Sequence, residues 1–411
     1  MSKPVFILGG AQTDFARNAA REGIGLFELL HEAVTGALQR AEVDASQIDA
    51  CHVGNFVGEL FVGQGQLGGM FAAIDPALYG KPAARHEAAC ASGSIAILAA
   101  MAEIEAGRYD CILVGGVEIE RNVPGDIAAR HLGAAMWVGR EGQTAKYAWP
   151  HMFDLVGREY ERRYGLRYEH LGRIAEINLN NGKRNPLAQT RQWRFTKESF
   201  TQDDEANPVI EGMIRRQDCG QVTDGAACIV LASERFARDW AQRVGRRLED
   251  VPYIAGWGHR TAHLRLEEKL QHSANEPYIF PHVREAIQGA FKRAGIADIG
   301  QVDGIETHDC FTTTEYMAID HFGITAPGES WKAIENGEIE LGGRIPVNPS
   351  GGLIGAGHPV GATGVRMVLD AARQVTGQAG AYQVEGAKRF ATLNIGGSAT
   401  TVVSFIVEKG N

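Results

Sequence analysis

Cys90 stands in the run Glu87 to Met101, EAACASGSIAILAAM, where a thiol is followed by Ser92, Gly93 and Ser94 and then by an apolar stretch. A cysteine at the mouth of a helix meets unpaired backbone N–H groups and their partial positive charge. That placement predicts a thiol pKa lowered from roughly 8.5 into about 3.5 to 7.5, and so a reactive thiolate. The competing account is a small buried hydrophobe, the ordinary fate of a free cysteine. His358 lies in Ile345 to Arg366, IPVNPSGGLIGAGHPVGATGVR, among glycines 351, 352, 355, 357, 361 and 364. Glycine at that density before a helix predicts tight turns and close backbone approach, and an imidazole with a reference pKa of about 6.5 suits general-base work there. A third segment, Thr307 to Phe311 (THDCF), offers His308, Asp309 and a second thiol, Cys310. The fourth, Asn394 to Ser398 (NIGGS), follows an apolar run, and its backbone N–H groups suit a developing oxyanion. Cys90, Cys310, His308 and His358 are also a chemically adequate zinc set, although their spacings carry no zinc signature.

The elements that must hold these residues can be read from the apolar pattern. Ile95 to Ala102 is apolar on every side, which predicts a helix packed between layers with no solvated face. Tyr109 to Val114, closed by Gly115 and Gly116, predicts a buried strand, and helix alternating with buried strand indicates a parallel sheet. The chain also repeats itself. Residues 32 to 41, EAVTGALQRA, return as EAIQGAFKRA at 285 to 294, so Glu32, Ala33, Gly36, Ala37, Arg40 and Ala41 recur 253 positions later. Each copy leads to a loop, a helix rich in small residues, and an apolar strand ending in glycine. Cys90 opens the first of these helices and the run around His358 to Gly364 opens the second. Two duplicated βαβ-type halves account for the pattern. The division expected is a first half at residues 1–120 plus about 217–262, an insertion at 121–216, and a second half at 263–411. The two small-residue helices then lie side by side between two sheets, their N-termini facing one site. In the insertion, Arg158 to Tyr168 and Arg191 to Phe195 mix charge with aromatics, and Asn178 to Asn185 reads as an Asn-rich turn. This segment is expected to be a lid of helices and loops with its own packing.

With 411 residues, two or three domains are expected, and 44% hydrophobic with 22% charged residues is a soluble globular balance. A net charge of −9 argues against a nucleic-acid or membrane-surface role. No apolar run approaches the ~18 residues of a membrane span. MSKPVFILGG reads as a first strand rather than a signal peptide, and VVSFIVEKGN ends in no targeting tripeptide. The six cysteines lack paired metal or redox spacing, which predicts free thiols in a reducing cytoplasm.

Taken together, the CASG segment, the NPSGG and GHPVGATG block and the C-terminal glycine-rich turn resemble the thiolase superfamily. The HDCF block is most like that of the sterol-carrier-protein type, the common bacterial type having NEAF there. The resemblance covers nearly the whole chain. It implies an α/β, five-layered αβαβα fold and transfer of an acyl group between coenzyme A and an acyl-cysteine, cleaving 3-ketoacyl-CoA or condensing acetyl-CoA. It also implies a homodimer or homotetramer, a cytoplasmic place in lipid metabolism, and no metal or redox cofactor. Carried over by residue, Cys90 is the nucleophile. His358 activates it and contributes to an oxyanion hole, and Cys310 is the acid/base of the second half-reaction. His308 replaces an asparagine that holds a water in the first oxyanion hole. The N–H groups of Gly396 and Cys90 form the second hole, and His151 and Met152 line the acyl pocket. Asn394 departs from the family, which has a cysteine at that place. That departure favours two alternatives: an aldol lyase, or an acyltransferase to a non-CoA acceptor working with a small accessory subunit. A non-catalytic acyl-CoA-binding protein is the remaining alternative. Lys183, Arg184 and Arg191 are candidates for the phosphates of coenzyme A or ordinary solvated charges.

Overall fold

The structure, a computed structural model, describes residues 4–410. Its strands in chain order are β1 (Val5–Gln12), β2 (Ala50–Gly54), β3 (Ala83–His86), β4 (Cys111–Glu118), β5 (Val209–Glu211), β6 (Ile214–Arg215), β7 (Gly225–Ser233), β8 (Pro252–Thr261), β9 (Gly304–Thr307), β10 (Arg389–Gly396) and β11 (Thr401–Lys409). Apart from the small β5–β6 ribbon they form one nine-stranded sheet in the order β3-β2-β4-β7-β1-β8-β11-β10-β9. The duplication is visible in the pairings. β2 runs parallel to β4, β4 antiparallel to β7, and β7 antiparallel to β1. In the second half β9 runs parallel to β10, β10 antiparallel to β11, and β11 antiparallel to β8.

Seven helices position the site: α1 (Leu26–Ala41), α2 (Ser92–Glu105), α3 (Ala148–Tyr164), α4 (Tyr168–Gly182), α5 (Pro281–Ala294), α6 (Thr312–Phe322) and α7 (Thr363–Val375). The repeated decapeptides lie in α1 and α5. Each presents an apolar stripe at helical spacing, Leu26, Leu29, Leu30, Ala33, Val34 and Ala37 in α1 and Val283, Ala286, Ile287 and Ala290 in α5. Both helices stop where the next residue turns left-handed, at Glu42 (φ 51°) and Gly295 (φ 69°). Strand alternation then sorts the core. Cys111 and Leu113 face α1, whereas Ile112 and Val114 face the middle of the molecule with α2 and α7. The layers are therefore α1, first-half strands, α2 with α7, second-half strands, and α5, the five-layered α/β arrangement expected. Burying one such leucine contributes about 1.5–3 kcal/mol, and Leu30→Ala, at a fully buried α1 position, is expected to cost ~2–5 kcal/mol.

Three details differ from the sequence expectation. The halves do not form two separate sheets, because β1 and β8 join them through Val5 opposite Ile254 and Phe6 opposite Tyr253. β8, within the stretch assigned to the first half, pairs along its length with β11. The sheet therefore divides before residue 252, not after 262. Finally, most of the Asn-rich segment is the end of α4 rather than a turn. Its asparagines are used as hydrogen-bond donors to the glycine-rich block. Asn181 Nδ2 reaches Asn348 O at 3.1 Å and Asn185 Nδ2 reaches Ser350 O at 3.0 Å.

Candidate active site

Cys90 sits in a one-turn 3₁₀ helix, Ala89–Ala91, that feeds α2. Ala89 adopts φ 50°, a left-handed conformation costly for alanine. Ser92 holds this bend, its hydroxyl donating to Ala89 O at 2.6 Å and accepting the Ala88 N–H at 2.9 Å. The N-terminus of α7 packs directly on that of α2, which explains the glycines. A side chain on Gly93 would meet Gly361 O at 2.8 Å and Val365 N at 3.0 Å, and one on Gly364 would meet Ser94 N at 2.4 Å. Only hydrogen fits between the two helix starts.

The same packing brings His308 and His358 to the thiol. The Cys90 sulfur and one ring nitrogen from each histidine lie within 4.8 Å of one another, and the two rings meet edge to face with centroids 5.3 Å apart. Hydrogen bonds settle both tautomers. The Thr363 hydroxyl lies 3.0 Å from Pro359 O and 2.7 Å from His358 Nδ1; with its one proton assigned to the carbonyl, it accepts from His358 Nδ1–H. Nε2 of His358 keeps its lone pair. Across the site, Ser94 donates to Asn394 Oδ1 at 2.8 Å, which turns the Asn394 amide nitrogen to His308 Nδ1 at 3.3 Å. His308 therefore accepts at Nδ1 and carries its proton on Nε2, which has no protein partner. The result is one imidazole acting as a base and one presenting an N–H donor.

Electrostatics correct the expected thiolate. Burial raises the Cys90 thiol to about 12, and the Glu120 and Glu118 carboxyls add to the rise, opposed by the N–H groups of Gly397 and of Cys90 itself. Desolvation outweighs the helix N-terminus even though Cys90 is half-buried and lines a cavity. His358 is lowered to about 3 by burial and then by the Arg366 charge, and burial also pushes His308 well below its ordinary value. The resting pair is thus a neutral thiol beside a neutral imidazole.

Cys90, Cys310 and His358 line one cavity of about 320 Å³. Phe56, Leu132, Trp149, Phe153 and Phe311 make most of its wall apolar, with Glu120 and Arg216 as its charged residues. Cys310 faces inward beside Thr314, sulfur to hydroxyl 3.8 Å, and burial, followed by its coupling to the Cys90 thiol, raises it far above the usual range. The segment 219–223 bridges the two histidine loops. Gly220 N–H donates to Cys310 O at 2.8 Å and His358 N–H to Thr223 Oγ1 at 2.8 Å. Behind them Asp309 accepts N–H groups from Leu353 and Ile354 at 2.6 and 3.2 Å and the Asn178 amide at 2.9 Å, which ties the HDCF loop to the glycine block and to α4.

Other expected residues are displaced. Gly397 rather than Gly396 faces the thiol and lines the cavity; Gly396 is still the last residue of β10. Gly397 takes φ 63° and Ala399 φ 62°, and the turn they make is pinned by Lys269. That buried amine, lowered to about 7 by desolvation, donates to Ser398 Oγ at 2.8 Å and Thr400 Oγ1 at 2.9 Å. His151 and Met152 do not line the cavity. Trp149, Pro150 and Phe153 do so from the same helix, since Phe153 lies three and four residues from the other two and shares their face of α3. Met152 enters the core, and His151 lies 3.5 Å from Glu211. Of the three basic residues proposed for phosphates, none lines this cavity. Arg191 grips both oxygens of Asp14 at 2.7 Å, Lys183 sits 5.6 Å over the Phe195 ring, and Arg184 reaches Asn181 Oδ1 at 3.2 Å. Thr363, Lys269, Glu120 and Arg216 were not singled out from the sequence. Thr363 alone had a sequence signal, standing at the helix start five residues after His358. Cys90, His308 and His358 are also the one His/Cys/Asp/Glu group among the described residues whose atoms converge closely enough to ligate a metal ion.

The chain is similar to known proteins along nearly its whole length. The family model described as "Thiolase, N-terminal domain" matches residues 5–189, and that described as "Thiolase C-terminal domain-like" matches 266–409. "Acetyl-CoA acetyltransferase" of Methanothermobacter thermautotrophicus is 30% identical over 99% of this chain and 100% of its own length. A protein of the same name from Methanocaldococcus jannaschii is 31% identical over 98% and 99%. "Sterol carrier protein 2" of Homo sapiens is 29% identical over 97% of this chain and 71% of its own. Among solved structures, the "Ltp2-ChsH2(DUF35) aldolase" superposes with a TM-score of 0.77 at 21% identity, covering 99% of this chain and 98% of that one. That last likeness is one of fold.

Proposed function

The chain belongs to the thiolase superfamily, and from that premise we propose that it is an acyltransferase exchanging acyl groups between coenzyme A and the Cys90 sulfur. The observation that carries this reading is the His358 tautomer, fixed through Thr363 with a free Nε2 near the neutral Cys90 thiol and Cys310 in the same cavity. As the Cys90 sulfur attacks the thioester carbonyl, its proton passes to His358 Nε2, so no thiolate need exist at rest. The developing oxyanion takes hydrogen bonds from His308 Nε2–H or from the Gly397 and Cys90 N–H groups, and each such donor is worth on the order of 3 kcal/mol. Collapse expels the coenzyme A sulfur, which takes the proton back from His358 and leaves the acyl group on Cys90. In the joining direction Cys310 passes its thiol proton to His358, takes one from the acetyl-CoA methyl group, and the carbanion displaces the Cys90 sulfur, which recovers the proton from His358. In the cleaving direction Cys90 attacks the 3-keto carbon, and the departing acetyl-CoA carbanion takes the Cys310 proton before the incoming coenzyme A thiol releases the acyl group. The substrates would be 3-ketoacyl-CoA and coenzyme A in the cleaving direction and two acetyl-CoA molecules in the joining direction. Arg216, exposed at the cavity, is positioned for a phosphate of the carrier.

We assign no metal or redox cofactor to the reaction. A homodimer or larger assembly is supported by β3, an edge strand paired only with β2. Lipid metabolism in the cytoplasm is the setting proposed; no helix among the described residues is long and apolar enough to cross a membrane. The direct test is thiolysis. Acetoacetyl-CoA and coenzyme A should yield two acetyl-CoA with the wild type and none with Cys90→Ala or His358→Ala, whereas equal turnover by all three would refute the assignment.

One observation favours a second reading. Asn394 stands where the family has a cysteine and is occupied in holding His308, so carbon–carbon chemistry depends on Cys310 alone. An aldol lyase, or acyl transfer to a non-CoA acceptor with an accessory subunit, is consistent with that, and the fold neighbour's title names an aldolase and a DUF35 partner. Release of a carbonyl product from a 3-hydroxyacyl-CoA without any acyl group on Cys90 would decide for the lyase.

A further inference from the structure

Glu120 is the acidic side chain of the thiol cavity, and the reaction outlined above has no use for it. It is 1% exposed, and its position is fixed. One carboxyl oxygen accepts the Val360 N–H at 2.8 Å, the other the Thr223 N–H at 3.4 Å, and its own N–H donates to Asp224 Oδ1 at 2.8 Å. The acidic neighbours that act on it are the buried carboxyls of Glu118 and Asp224, and among the described residues no lysine or arginine forms an ion pair with it. A carboxylate enclosed by apolar wall and two further carboxyls is strongly disfavoured, and burial with Glu118 holds Glu120 well above the usual carboxylate range. The acid form carries an O–H. Both its oxygens accept backbone N–H groups, which fixes the carboxyl at the cavity wall. Phe56, Leu132, Trp149 and Phe153 of the same cavity have no side-chain oxygen to accept its proton. An occupant of the cavity with an oxygen at this point can accept it.

We propose that the Glu120 carboxyl group donates a hydrogen bond to an oxygen on the acyl chain, so that the preferred acyl donors bear a hydroxyl group rather than a plain alkyl chain. The inference rests on Cys90 as the site of acyl transfer. A site built to hydrogen-bond a substrate oxygen rejects the analogue that lacks it, because the polar group is left unpaired.

The test compares rates of Cys90 acylation, followed by intact mass, for butyryl-CoA and for 3-hydroxybutyryl- and 4-hydroxybutyryl-CoA. In the wild type at least one hydroxyacyl donor should exceed butyryl-CoA by about tenfold or more. Glu120→Gln, whose amide can still donate, should keep most of that preference. Glu120→Leu should abolish it and speed butyryl transfer. Glu120→Asp, shorter by one methylene and certain to keep the charge type, should lose the preference and serves if the leucine variant does not fold. A wild-type ratio within about threefold, or an unchanged ratio in the leucine or aspartate variant, overturns the inference alone. Absence of an adduct with any donor overturns acyl transfer and this inference with it.

Discussion

Replacing Thr363 by valine tests whether a single hydroxyl sets the protonation chemistry of the site. Valine matches threonine in shape and leaves the helix start intact, but it cannot accept from His358 Nδ1–H at 2.7 Å or donate to Pro359 O at 3.0 Å. His358 is 9% exposed, so its orphaned N–H finds little water, and an unsatisfied buried donor costs roughly 1–3 kcal/mol. The Nδ1–H tautomer loses that support, and the alternative tautomer places the proton on Nε2, where it cannot accept from Cys90. A shift of 1.4–2.8 kcal/mol towards the unproductive form lowers the acylation rate by about 10- to 100-fold. Rapid mixing with excess acetyl-CoA, with the acyl-enzyme counted by mass at each time, isolates this step. Thr363→Val should slow acylation within that range without raising the acetyl-CoA concentration for half-saturation. Thr363→Ser, which restores the hydroxyl, should recover most of the rate. A valine variant within about threefold of wild type, or a serine variant as slow as valine, would refute the tautomer argument.

Lys269→Met removes the amine that pins the Gly397 turn through Ser398 and Thr400; kcat should fall about tenfold, as for a misplaced oxyanion donor, with KM nearly unchanged, and an unchanged kcat would show that the turn holds itself. Lowering the pH should destabilise the wild type relative to His358→Asn. The native imidazole, at about 3, stays neutral while the unfolded one takes up a proton below ~6.5. The difference should grow by roughly 1.4 kcal/mol per pH unit across that window, or ~2 kcal/mol between pH 6.5 and 5. Denaturant titrations at several pH values read it, and parallel pH dependences of the two proteins would count against a buried neutral His358. A chelator should leave acylation unchanged, whereas added zinc should inhibit competitively with acyl-CoA, since Cys90, His308 and His358 converge within 4.8 Å. Loss of activity on chelation would reassign the three residues to a metal centre.

Much of this was legible because the chemistry depends on residue types that cluster near glycine. Cys90, His308, Cys310 and His358 converge from segments far apart in sequence, and the duplicated decapeptide located the helices that bring them together. What could not be read is of two kinds. Long-range identity of neighbours decided the thiol: no local pattern shows that Glu120 shares its cavity, or that burial outweighs the helix terminus there. Orientation decided the rest. The His-Met pair at 151 and 152 and Trp149 with Phe153 lie on one helix, and only its rotation against the cavity selects which pair lines it. Likewise a one-residue step along the turn gives Gly397 rather than Gly396. The asparagines of α4 misled for a physical reason, since asparagine favours turns when exposed but here serves as a buried donor to another loop.

The central claim is that Cys90 carries the acyl group, and intact-protein mass spectrometry after mixing with acetyl-CoA tests it most directly. The account predicts one acetyl adduct on the wild type and on Cys310→Ala, and none on Cys90→Ala. An adduct that survives Cys90→Ala, or no adduct on the wild type with any acyl-CoA, would contradict it.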